Sequence, residues 1–187
     1  MKKIGVFLLA VAACAGTAQA DDYNPFFGDF RHQIALGLGW GVDSGFIVPP
    51  PARFVPFAEA HFQYSVPSAM FYLPARLSMN VSQVVGVGHK YGWAWSRYSI
   101  PIVYLTKDLA FLNGKDWYVG AGCGGGFQVA ENERIGSKLV FTLKVFAGYR
   151  LTERLASEIY VKHFSNGNTA PENNSYAFYG AGVAYNF

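Results

Sequence analysis

The sequence predicts an all-β chain folded as an eight-stranded antiparallel transmembrane β-barrel. Three observations predict it. Beyond residue 20 the chain falls into about eight segments of alternating apolar and polar residues, broken by turn residues and long enough for tilted strands to cross a bilayer. Aromatic residues make up 17% of the chain and charged residues only 14%, against about 25% charged in soluble domains. That imbalance suits a protein whose outside is apolar. The chain also ends Val183-Ala184-Tyr185-Asn186-Phe187, an alternating strand that closes on a terminal phenylalanine.

Residues 1–20 read as a secretory signal. Lys2 and Lys3 give the positive start, Ile4 to Cys14 the apolar centre, and Ala18-Gln19-Ala20 the small-residue cleavage site before Asp21. The apolar part is too short to span a membrane as a helix. Val11-Ala12-Ala13-Cys14 offers a competing reading, a lipobox that would leave a lipidated Cys14 at the mature N-terminus. Either way the chain is exported, and residues 21–187 form one domain, the barrel.

The first segment lies near 32–43. The second is the clearest: Phe54, Ala58, Ala60, Phe62 and Tyr64 share one face, with Glu59, His61, Gln63 and Ser65 on the other. The third sets Leu77, Met79, Val81, Val85 and Val87 against Arg76, Ser78, Asn80 and Ser82. A fourth near 93–105 and a fifth near 116–130 keep the period less strictly. The sixth sets Leu139, Phe141, Leu143, Val145, Ala147 and Tyr149 against Lys138, Thr142, Lys144 and Arg150. The seventh and eighth lie near 154–166 and 175–187. No apolar run long enough for a spanning helix follows the signal, and closure into a barrel removes the sheet edges that lipid cannot hydrogen-bond.

The ending resembles the closing strand of bacterial outer-membrane barrels, which have both termini in the periplasm. The links near 44–53, 89–92, 131–137 and 167–174 are then extracellular. The periplasmic links include a tight one at Leu151-Thr152-Glu153-Arg154 and two long ones near 67–74 and 106–115.

Composition excludes several classes. Loss of the signal lowers the formal charge from +3 to about +1, which argues against a nucleic-acid partner. Cys123 would be a lone cysteine, so no disulfide framework is expected, and no Cys/His cluster suggests a metal. Gly120-Ala121-Gly122-Cys123-Gly124-Gly125-Gly126 lacks the lysine and helix of a phosphate loop. Within a strand such glycines mark bending or close backbone approach. A groove for an acyl chain on the outside of the barrel is the alternative. Glu59 and His61 read as lumen filling, and His32 and His89 as solvated residues near strand ends. The tryptophans and tyrosines read as interfacial belts.

One stretch breaks the pattern. In the seventh segment Leu155, Ser157, Ile159 and Val161 continue to His163 and Ser165 on the face that should meet lipid. A base and a hydroxyl on an oily surface are costly unless they act there. Residues at i and i+2 lie about 6–7 Å apart along a strand, so the imidazole can take the serine proton and make it a nucleophile toward an ester. An incidental interfacial pair is the bland alternative.

His163-Phe164-Ser165-Asn166, with the short loop containing Pro171 and the final strand, resembles the lipid A 3-O-deacylase (PagL-like) family of outer-membrane esterases. The resemblance implies His163 as base, Ser165 as nucleophile, and Asn166 with Gly167 as oxyanion donors. It implies hydrolysis of an ester-linked acyl chain of lipid A in the outer leaflet. Lipopolysaccharide is then the substrate and outer-membrane lipid the other partner, with no cofactor; a homodimer is left open. The family's orienting glutamate falls on Ala177. Glu172 is the nearest carboxylate, with Asn173 or Asn174 as neutral substitutes. The rival classes are a non-enzymatic outer-membrane barrel, structural or adhesive, and a palmitoyl transferase barrel.

Overall fold

A computed structural model describes residues 23–42, 54–86, 98–131, 135–171, 173 and 175–187. Eight strands form in chain order: β1 (Gln33–Val42), β2 (Phe54–Met70), β3 (Leu73–Gly86), β4 (Tyr98–Asn113), β5 (Trp117–Gln128), β6 (Leu139–Arg150), β7 (Leu155–Ser165) and β8 (Tyr176–Asn186). Each pairs antiparallel with the next, and β1 pairs with β8 from Gln33↔Asn186 to Val42↔Ala177, so the sheet closes into a barrel. The expected eight-stranded barrel is the observed fold.

Alternation sorts the side chains as the sequence requires. Leu36, Leu38, Leu105, Ile159 and Val183 lie exposed on the outside, where a soluble sandwich would place polar residues. The lumen is charged and hydrogen-bonded. Arg76 contacts Asp108 at 2.9 Å and Glu158 at 2.7 Å, Lys144 contacts Asp108 at 2.7 Å, and Lys162 contacts Glu59 at 2.6 Å. Buried charges persist only when paired, and Arg76, Lys144 and Lys162 each meet a carboxylate. His61 meets the Tyr160 hydroxyl at 3.2 Å, so both Glu59 and His61 fill the lumen as expected.

Two apolar layers cap this polar interior. At the end of the barrel where Tyr23 and Phe187 lie, Asn24–Gly28 folds into the lumen, and Phe26 packs edge-on against Tyr118 with centroids 4.8 Å apart. Arg150 Nη2 donates to the Pro25 carbonyl and Asn24 Nδ2 to the Ala75 carbonyl, both at 2.8 Å. Phe57, Ile102, Tyr104, Val140, Phe164 and Phe178 close the opposite end.

The two long links expected near 67–74 and 106–115 are instead mostly strand. Val66–Met70 pairs with Leu73–Leu77 as a ribbon turning at Phe71-Tyr72, and β4 runs on to Asn113. Asp108 continues β4 because its carboxylate turns inward to Arg76 and Lys144. His32, expected to be solvated, is exposed and also bonds Tyr64 Oη at 2.8 Å. His89 and the fourth segment before Tyr98 lie outside the described residues, as does the signal region.

Candidate active site

The inward face of β7 determines where His163 and Ser165 point. Lys162 reaches Glu59 at 2.6 Å and donates to the Tyr104 hydroxyl at 3.0 Å. Phe164 is fully buried, edge-on to Tyr104 with centroids 5.1 Å apart. With 162 and 164 anchored in the lumen, strand alternation turns 163 and 165 to the outside. Both are half-buried there.

The pair borders an apolar groove of about 690 Å³ on the barrel exterior. Its walls include Phe141 and Leu143 from β6, Val103 and Leu105 from β4, and Leu77 and Met79 from β3. Cys123 and the consecutive glycines 124, 125 and 126 of β5 form its floor. The glycine run therefore lies at points of close backbone approach and also floors an exterior groove. Gly124 and Gly126 permit close backbone approach, because a Cβ on either would collide with the carbonyl oxygen of Leu105 or Val103. Gly125, of the opposite parity, lies on the outer face between Leu105 and Phe141.

Beyond Ser165 the chain turns at once. Gly167 and Asn168 both have φ of 60°, and the Thr169 amide donates to the Asn166 carbonyl at 3.2 Å, which makes a type I′ turn. Glycine and asparagine are the residues that tolerate those dihedrals. A Cβ on Gly167 would also stand 2.9 Å from the Phe141 ring, the cross-strand neighbour of Ser165. The Asn166 side chain is buried beneath the turn: Oδ1 accepts from the Asn168 amide at 2.8 Å, and Nδ2 donates to the Ala170 carbonyl at 3.3 Å.

Asn173 completes the arrangement. Its Oδ1 accepts from the Asn166 amide at 3.0 Å, and its Nδ2 donates to Asn168 Oδ1 at 2.9 Å. It also bridges to Ile135, which joins this turn to the neighbouring loop. The amide considered as a histidine partner is thus engaged in holding the turn. Ala177 sits directly across from His163 in the β7–β8 register, a methyl at the cross-strand position where an acid would reach the imidazole. Glu172 and Asn174 lie outside the described residues.

Sequence reasoning brought His163, Ser165, Asn166 and Gly167 into one neighbourhood and missed two contributors. The groove walls on β3 and β4 lie far away in sequence, and only the glycine run hinted at them. Asn173 as a brace carried no signal, because its partner is a backbone amide seven residues upstream.

The fold and this site define a β-barrel of the outer-membrane type, with a histidine–serine pair on its apolar exterior. The family model described as lipid A 3-O-deacylase (PagL) matches residues 57–186, and the chain belongs to that family. Among solved structures the chain is similar to neisserial surface protein A, at 9% identity and a TM-score of 0.54, over 83% of this chain and 97% of that one. It is also similar to a de novo designed transmembrane β-barrel, at 11% identity and a TM-score of 0.54, over 84% of this chain and 95% of the design. Those likenesses show the fold. A search of curated proteins finds no significant match.

Proposed function

We propose that this protein is an outer-membrane esterase that removes the 3-O-linked acyl chain of lipid A, with Ser165 as nucleophile and His163 as its base. The observation that carries the reading is the position of this pair at the mouth of an exterior apolar groove. Family membership supplies the substrate class. In this reading residues 1–20 are removed on export. The end of the barrel away from the termini faces the cell exterior, so the pair stands at the depth of the outer-leaflet ester bonds.

The chemistry is acyl transfer in two halves. His163 takes the Ser165 hydroxyl proton as Oγ attacks the ester carbonyl, and the negative charge gathers on the carbonyl oxygen. The Asn166 amide and the Gly167 backbone N–H are the donors for that oxyanion. The 3.3 Å bond from Asn166 Nδ2 to Ala170 is long enough to be exchanged for it. The tetrahedral intermediate collapses, the C–O bond to the sugar breaks, and His163 returns the proton to the departing sugar hydroxyl. Water, deprotonated by His163, then cleaves the acyl-Ser165 ester and releases the fatty acid. Glu172, six residues past Asn166 in the same loop, is the carboxylate that orients the imidazole.

Mass spectrometry of lipid A from cells making the wild-type or Ser165→Ala protein tests the reading. Wild-type cells should lose one ester-linked hydroxyacyl chain, and Ser165→Ala cells should keep it. An unchanged pattern beside folded wild-type protein rejects the esterase. A gain of one acyl chain would identify a transferase instead.

A further inference from the structure

We infer that Gly125 sets the length of acyl chain the site accepts, an inference that rests on the ester hydrolysis proposed above. The argument begins with the direction of the groove. Ser165 is the last residue of β7, and the sheet register links it outward in turn to Phe141, Gly125, Leu105 and Met79. Phe141 is the third residue in from the same end of the barrel, Gly125 the fourth, and Leu105 and Met79 each the eighth. Because barrel strands tilt, the row sinks from the rim toward the middle of the wall as it crosses β6, β5, β4 and β3. A chain attached at Ser165 that follows the groove therefore runs down into the hydrocarbon layer, the direction an acyl chain must take. Four strand spacings separate Ser165 from Met79, about 19 Å, and Gly125 lies at the halfway point, about 10 Å along.

Gly125 is where the groove depends on one missing side chain. The outward residues of β5 shrink to Ala121, Cys123 and Gly125, between the larger Val145, Leu143 and Phe141 on one side and Leu109, Lys107 and Leu105 on the other. The inward glycines 124 and 126 answer to backbone crowding. Gly125 does not share their direction, and a glycine on a lipid-facing strand forgoes both packing and strand propensity. Larger apolar side chains such as Leu38, Phe62, Met79, Leu105 and Ile159 occupy outer positions elsewhere on the wall. The smooth passage over Gly125 is what joins the half of the groove near Ser165 to the half lined by Leu105, Met79 and Leu77. A side chain there leaves the chemistry at Ser165 in place and closes the far half.

The test is a chain-length profile. Purified wild-type, Gly125→Ala, Gly125→Val and Gly125→Leu barrels are refolded in detergent. Each is assayed on acetyl, hexanoyl, decanoyl and tetradecanoyl esters of one alcohol, and folding is checked by the gel mobility of the unheated protein. Each buried methylene is worth about fourfold in binding. Gly125→Leu should therefore retain acetyl and hexanoyl turnover within about twofold and lose at least about tenfold in kcat/KM on the decanoyl and tetradecanoyl esters. Alanine and valine should give a graded shift, which decides the question if the leucine variant does not fold. A long-chain preference that is the same in every folded variant overturns the assignment of Gly125 while leaving the esterase intact. A loss equal for all chain lengths also overturns it, because the groove would then hold something other than the chain being cleaved. A folded wild type that hydrolyses none of the esters, nor lipid A itself, rejects the esterase and this inference together.

Discussion

Replacing Lys162 with methionine tests how the lumen holds the strand that carries His163 and Ser165. Lys162 stands between His163 and the rest of β7, and its ammonium is 2.6 Å from Glu59 Oε1 and 3.0 Å from the Tyr104 hydroxyl. Its side chain is 3% exposed and that of Glu59 0%. Methionine preserves most of the side-chain volume and removes the charge. Glu59 is then left in the lumen with the Ser82 hydroxyl, which donates to Oε1 at 2.5 Å, as its neutral partner. Breaking a buried pair by deleting one member costs about 3–5 kcal/mol, because the other charge stays uncompensated. Lys162→Met should therefore lower stability by about that amount. The double variant Lys162→Met/Glu59→Gln should recover most of the loss, since no lone charge remains. The assay is urea unfolding in lipid vesicles, followed by tryptophan fluorescence, for both single variants and the double. A loss below about 1 kcal/mol in Lys162→Met, or a double variant as unstable as the single, would refute the claim that this pair anchors β7.

Three further substitutions probe the end of the barrel that carries the proposed site. Gly167→Ala forces a side chain into the left-handed region and 2.9 Å from the Phe141 ring; it should destabilise the barrel by about 1–3 kcal/mol and cut ester turnover more than binding, read as a fall in kcat at nearly constant KM. Glu172→Gln should reduce kcat by up to about four orders of magnitude, the size of the loss when an orienting carboxylate becomes an amide. Adding Ala177→Glu to that variant should restore part of the rate, because position 177 lies across from His163. Full activity in Glu172→Gln would remove Glu172 from the mechanism.

The barrel was legible because period-two alternation is strong on β2, β3 and β6, whose outer faces are mostly apolar while their inner faces are mostly polar. It faded where the lumen imposed charge. The sequence reading stopped the fourth segment at 105, just before Lys107 and Asp108, yet Asp108 belongs to the strand as the acid that Arg76 and Lys144 share. The ribbon was hidden by Pro67 and Pro74, both paired within it, and by a turn at Phe71 and Tyr72 whose φ of 51° and 63° ordinarily calls for asparagine and glycine. The Asn24–Gly28 plug has no periodicity at all; local bonds to Asn24 shape the turn, and tertiary contacts seat it in the lumen. The site divides the same way. His163 and Ser165 stood out as polar residues on an apolar face, a local signal. The groove they border is assembled from five strands, so its shape exists only in the closed barrel.

The most direct measurement of the central claim is covalent trapping at Ser165. A lipophilic fluorophosphonate, which reacts with serines activated by a base, is incubated with the folded barrel in detergent, and the modified peptide is identified by mass spectrometry. The account expects one adduct, on Ser165, absent in Ser165→Ala and formed at least about a hundredfold more slowly in His163→Asn. An adduct on another residue, or labelling of Ser165 at an equal rate without His163, would contradict it.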